Sequence, residues 1–189
     1  QARSRGLLRA MKHIGQPAAC QCLVFLVTFI GWPSVPAAAC LEGWFSSMDH
    51  GWWFILVTAA YNVPDFLSRL WLTTLQRLAT QVSPRALVVA SIVRAAVLLP
   101  VIFICVRPRV IRGSAGNVVV LLAVMVLAVS NGFLATVSMM QVSITAPPQL
   151  KEDAVNVAVA LLYVGIASGS TVSWVMGNTL HFDNAQCGR

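Results

Sequence analysis

Asp65 and Arg69 stand four residues apart in the stretch Tyr-Asn-Val-Pro-Asp-Phe-Leu-Ser-Arg (61–69), and the residues on either side are apolar. At that spacing a carboxylate and a guanidinium share one helix face and can neutralise each other. Asn62 falls on the same stripe, so positions 62, 65 and 69 make a polar ridge at i, i+3 and i+7. An ionised side chain near a bilayer centre costs about 2.5–3.5 kcal/mol on insertion scales, so two in one segment imply a face turned to protein or water. Two readings follow: a polar face lining a substrate cavity, which we prefer, or a neutral ion pair that only locks helix packing. Pro64 adds a freed backbone carbonyl about one turn earlier, near Ala60, that a neighbour or water must satisfy.

The elements that position this ridge are membrane spans. The chain has 189 residues, 58% of them hydrophobic and 10% charged, with a mean hydropathy of +0.77. Soluble domains carry about 25% charged residues, so the composition is that of an all-α integral membrane protein. The net charge of +7 and pI near 9.8 do not indicate a nucleic-acid partner, because the basic residues are scattered singly rather than gathered with aromatics on one patch. A hydrocarbon core needs roughly 20 apolar residues to cross. Five runs qualify, at about 18–41, 51–73, 86–106, 117–142 and 154–176, flanked by a basic segment (1–17) and a short tail (177–189).

Lysines and arginines set the direction. With the N-terminus inside, Arg3, Arg5, Arg9, Lys12, Arg77, Arg85 and Lys151 are cytoplasmic, against Arg107, Arg109, Arg112 and Arg189 outside. That bias favours a cytoplasmic N-terminus and an extracytoplasmic C-terminus, with the 107–112 cluster as an exception. The basic start, the apolar run and Ala37-Ala38-Ala39 also resemble a cleavable signal peptide. The run from Ala18 is too long for one, and a first span is the better reading. Cys20, Cys22 and Cys105 lie in apolar runs and serve as small hydrophobes. Cys40 and Cys187 lie nearer interfaces, where free thiols are favoured over a bridge between them.

Each span carries polar marks. Pro33 and Pro36 should kink or unwind the late part of the first. Arg94 lies eight residues after Ala86, about 12 Å into the third helix, too deep to reach the interface easily. It should point inward, and Asp65 is the available acid, because the other carboxylates sit at span ends or beyond. In the fourth span Ser130-Asn131-Gly132, Ser138 and Gln141 read as glue between helices rather than ligand contacts, and in the fifth Gly165-Ile-Ala-Ser-Gly169 reads as a close helix approach. An enzyme is not indicated. His13, His50 and His181 are isolated, and there is no HExxH, GxSxG or GxxxxGK, nor any cofactor motif.

These residues together resemble the equilibrative nucleoside transporter family. Tyr61-Asn62-Val-Pro-Asp65-Phe-Leu-Ser68-Arg69 is similar to the Phe/Tyr-Asn-x-x-Asp-x-x-Gly-Arg motif of its eighth helix. Cys22-Leu-Val-Phe25 with Thr28 and Pro33-Ser-Val35 resembles the seventh, and Arg94 with Leu98-Leu99-Pro100 the ninth. Arg107-Pro108-Arg109 resembles the link after it, Ser130-Asn131-Gly132-Phe133 the tenth helix, and Glu152 through Gly169 the eleventh. The resemblance spans about residues 18–176 and agrees in order and spacing. It implies the carboxyl half, helices seven to eleven, of a major-facilitator-like eleven-helix carrier whose first six helices lie elsewhere. It further implies transport of nucleosides, or nucleobases, by alternating access across a lipid bilayer; the plasma membrane is expected ahead of an organelle membrane, a choice the residues leave open. By the same resemblance Asn62, Asp65 and Arg69 line the central cavity, with Arg69 facing the ribose hydroxyls and Ile166 adding an apolar contact. Arg94, Asn131 and Pro64 take structural or gating roles. Ser68 departs from the family's usual glycine, which predicts a looser helix approach there. The competing reading is a membrane scaffold in which the Asp65–Arg69 pair is structural.

Overall fold

The computed structural model describes residues 2–74, 76, 80–106, 111 and 113–179. Arg77, the Arg107–Arg109–Arg112 cluster, His181, Cys187 and Arg189 lie outside the described residues. The fold is all-helical: α1 (Ala2–Gly31), the short α2 (Ser34–Ala37), α3 (His50–Thr74), α4 (Pro84–Val106), α5 (Ser114–Thr145) and α6 (Lys151–Thr179), with 3-10 turns at Gly43–Phe45 and Pro148–Leu150.

Among the described residues four helices are long and apolar enough to cross a membrane: His13–Ala37, Pro84–Val106, Ser114–Thr145 and Pro148–Thr179. This corrects the expected count of five. The missing one is α3, which at 25 residues is long enough. Its stripe of Asn62, Asp65 and Arg69, with Pro64 and Ser68, lowers its apolar character. Such a helix depends on neighbours to cover the stripe, and α3 packs along α5.

Local chemistry sets the breaks. Pro33 and Pro36 lack backbone donors, and the long first helix stops at Gly31 before resuming as α2. Trp32 stacks on Tyr61 there, with ring centroids 4.2 Å apart, while the Trp53 indole donates to the Pro36 carbonyl at 2.9 Å. Ser83 and Pro84 start α4 in the expected manner: the Ser83 hydroxyl accepts from the Ala86 amide at 3.2 Å, and proline takes the first helical position. Gly113, with φ of 72°, turns the chain into α5 and gives its amide to the Glu42 carboxylate. Asn117 completes this latch by donating to the Cys40 carbonyl at 3.1 Å. Cys40 is disulfide-bonded, which corrects the free thiol expected at this position; Cys20, Cys22 and Cys105 are free.

Helix α5 is the hub. It packs against α1, α3 and α4, and α1 in turn carries α6 along much of its length. The α1–α6 seam uses Gly165 and Gly169, where a Cβ would collide with the carbonyl oxygens of Cys22 and Leu26. The close approach read from the GxxxG spacing is therefore what the helices do. Buried Ser138 donates to Gln21 of α1 at 2.9 Å, and Gln141 donates to the Val82 carbonyl ahead of α4. Both belong to the glue read in the fourth span.

Candidate functional site

Asp65 and Arg69 form a two-point ion pair on α3. Arg69 Nε donates to Oδ2 at 2.9 Å and Nη2 to Oδ1 at 3.2 Å. This side-on pairing occupies one edge of the guanidinium. Among the described residues Nη1 makes no hydrogen bond, so the end of the fork keeps donors to offer. The pair is not sealed: the Arg69 side chain is 37% exposed and that of Asp65 17%. Asn62 is exposed two turns earlier on the same stripe, and Pro64 sits half-buried in an unbroken helix.

Asp65 is held from the opposite side by α5. Asn131, 1% exposed, donates from Nδ2 to Asp65 Oδ1 at 2.8 Å. The Asn131 carbonyl oxygen meets the Thr28 hydroxyl of α1 at 2.7 Å. Thr28 in turn accepts from Arg94 Nη2 of α4 at 2.6 Å. A continuous line of polar side chains, Arg94–Thr28–Asn131–Asp65–Arg69, thus joins four helices.

The direct Arg94–Asp65 contact expected from sequence is not what forms. Arg94 does point inward, and is 5% exposed, but it donates to the carbonyls of Val24 at 3.2 Å and Leu127 at 3.0 Å besides Thr28. It reaches the acid through two intervening residues. An arginine with five donors can settle among carbonyls without a paired carboxylate, and the line to Asp65 lowers the cost of burying its charge. Its Nε is buried without a partner.

The expected looseness at Ser68 is corrected as well. The Ser68 hydroxyl donates to the Asp65 carbonyl at 2.7 Å. On α5 the facing residue is Gly132, where a Cβ would strike both Ser68 Oγ and the Asp65 carbonyl oxygen. The glycine needed for close approach is supplied by the partner helix.

Arg69 opens on a cavity of about 430 Å³ whose walls are Gln21 and Phe25 of α1, Thr136 and Met139 of α5, and Leu162 of α6. A larger cavity, about 620 Å³, lies between α3, α4 and α5 against Trp71, Met125 and Phe133. Its exposed lining is nearly all apolar, although Ser68, Arg94 and Ser130 stand at its walls. Ile166 is half-buried on α6, and the cavity beside Arg69 is met from that helix by Leu162, one turn earlier. The structure therefore brings Asp65, Arg69, Asn131 and Arg94 into one network and leaves Asn62 and Ile166 outside it. Thr28 is the member whose role sequence reasoning missed. A lone threonine in an apolar helix gave little signal beyond its place in the seventh-helix resemblance.

A bundle of apolar helices thus carries one polar ridge, held at Asp65 by α5 and open at Arg69 on a cavity. The family model for nucleoside transporters matches residues 6–178, and the chain belongs to the nucleoside transporter family. No curated protein and no solved structure matches it.

Proposed function

We propose that this chain is the carboxyl-terminal wall of a facilitative carrier that moves nucleosides, and secondarily nucleobases, by alternating access. The observation that carries the reading is the orientation of Arg69. Asp65 holds its Nε edge, so the outer fork projects beside a cavity of about 430 Å³ with donors unused. Vicinal ribose hydroxyls fit such a fork, because two parallel donors can meet two adjacent oxygens. Asn62, exposed on the same stripe though not among the cavity's walls, would add a contact, and the uncharged base would lie against Phe25 and Met139. Ile166, one turn along α6 from the wall, would pack against the base only after α6 moves.

A polar site fixed at mid-membrane between two rocking bundles is the way secondary transporters expose substrate to each side in turn. In that scheme a six-helix amino-terminal half supplies the other wall, and the polar stripe of α3 faces the interface between the halves. The distribution of lysine and arginine supports a cytoplasmic N-terminus and an extracytoplasmic C-terminus. Membership of a transporter family, with a site made for binding rather than bond-breaking, supports a carrier and not an enzyme.

The closed Asp65–Arg69 pair is the one observation favouring a structural role, as in a scaffold. Uptake of radiolabelled adenosine and uridine by cells expressing the full-length carrier separates the two. Saturable uptake that falls at least about tenfold in Arg69→Ala, the size of one charged hydrogen bond lost, with surface expression unchanged, is the expected result. Unchanged uptake in the variant removes Arg69 from the path and leaves the structural role.

A further inference from the structure

We propose that Thr28 is a positioning residue for the substrate pair, coupling the placement of α1 to the orientation of Asp65 and Arg69. The argument is one of donors and acceptors. Arg94 can only donate, and Asp65 as a carboxylate can only accept, so the line between them has a direction. Arg94 Nη2 takes a lone pair of the Thr28 oxygen at 2.6 Å. The single Thr28 proton then faces Asn131 Oδ1 at 2.7 Å and the Val24 carbonyl at 2.8 Å, with the buried Tyr61 phenol of α3 also in hydrogen-bond range of the hydroxyl.

When the proton points to Asn131, the amide has one permitted orientation. Its oxygen faces Thr28, and its NH2 faces Asp65 Oδ1 at 2.8 Å. Turned over, the amide would set its oxygen against the carboxylate, two acceptors in contact. Asp65 Oδ1, shared between Asn131 and Arg69 Nη2, fixes the plane of the carboxylate and leaves Oδ2 facing Arg69 Nε at 2.9 Å. Thr28 thereby acts on Arg69 without touching it.

The second acceptor makes the line breakable. If α1 draws away from α5, the Thr28 proton turns to Val24 on its own helix, so Thr28 keeps an acceptor while Asn131 Oδ1 loses its donor. The Asn131 amide is then unheld, and Asp65 loses a fixed donor. Side-chain networks of this kind couple residues that share no contact. Thr28 is thus the point at which movement of α1 reaches the substrate pair.

The proposal rests on the nucleoside reading for its transport arm, and a second arm stands apart from it. In the full-length carrier, Thr28→Val is expected to raise the KM for uridine about fivefold, the size of one neutral hydrogen bond lost. The KM for 2′,3′-dideoxyuridine, which cannot use the fork, should stay unchanged, and Thr28→Ser should restore the uridine value. Thr28→Ala, which leaves room for a water beside Arg94, replaces Thr28→Val if that variant fails to reach the membrane. Equal KM changes for both substrates, a loss confined to maximal rate, or failure of Thr28→Ser to restore would overturn the positioning role. The second arm measures thermal stability of purified Thr28→Val, Asp65→Asn and the double variant. Residues joined by a network give non-additive shifts, whereas additive shifts overturn the coupling. Absence of uptake in the parent protein would defeat the functional reading alone, since the stability cycle still decides whether Thr28 and Asp65 are coupled.

Discussion

The division of labour within one guanidinium is the central feature at the scale of the residue. Arg69 uses Nε and Nη2 to hold Asp65, and in the proposed reading its outer fork serves a ligand. A lysine could neutralise Asp65 but offers a single point charge and no fork. Arg69→Lys should therefore keep surface expression and stability near the parent while raising the KM for ribonucleosides about tenfold, in line with loss of a bidentate contact. A KM that stays at the parental value would mean that charge alone suffices. The inward direction of Arg94 was legible because burial depth follows from counting residues along a helix. Its partners were not, because they depend on how α1 and α5 rotate against α4. Nothing in a linear sequence says that Thr28 stands between Arg94 and Asn131. The Asp65–Arg69 pair lay within one helix, where spacing alone determines contact, and so it could be read directly.

Between elements, glycine placement decides how near the helices come. At the α3–α5 crossing, a Cβ on Gly132 would meet Ser68 Oγ and the Asp65 backbone, and the backbone cannot yield. Gly132→Ala is expected to lower stability by about 1–3 kcal/mol, as overpacking does, and to weaken uptake by displacing Asp65. Adding Ser68→Gly should recover part of the loss by removing the side-chain clash, leaving the backbone clash in place; thermal unfolding of the two purified variants measures both. A Gly132→Ala protein as stable as the parent would show that the helices can separate freely. Gly165→Ala tests the α1–α6 seam in the same assay, with a loss of similar size expected from collision with the Cys22 carbonyl. The two seams differ in legibility. Gly165 and Gly169 announce theirs through spacing on one helix. Ser68 and Gly132 contribute one small residue from each of two helices, so the serine on α3 read as a defect until its glycine partner was seen.

For the whole molecule, the decisive property is that α3 is not apolar enough to stand in lipid unaided, although it lies among four helices that are. Helix α5 covers the Asp65 side of its stripe through Asn131 and Gly132. Asn62 and much of Arg69 remain exposed. In a bilayer that surface must meet water or another protein surface, and the proposed interface with a second helical bundle would supply both. One bundle makes one wall, and binding a solute on all sides needs the opposite wall. Expressed by itself, the chain should insert in the membrane without giving saturable nucleoside uptake. If the proposed two-wall arrangement holds, co-expression with a separate amino-terminal six-helix bundle should give uptake that is lost again in Arg69→Ala. Two controls give the comparison its force: equal membrane abundance of the chain in both settings, and the amino-terminal piece tested alone. Saturable, Arg69-dependent uptake by this chain without a partner would overturn the two-wall arrangement and place a complete pathway within these helices.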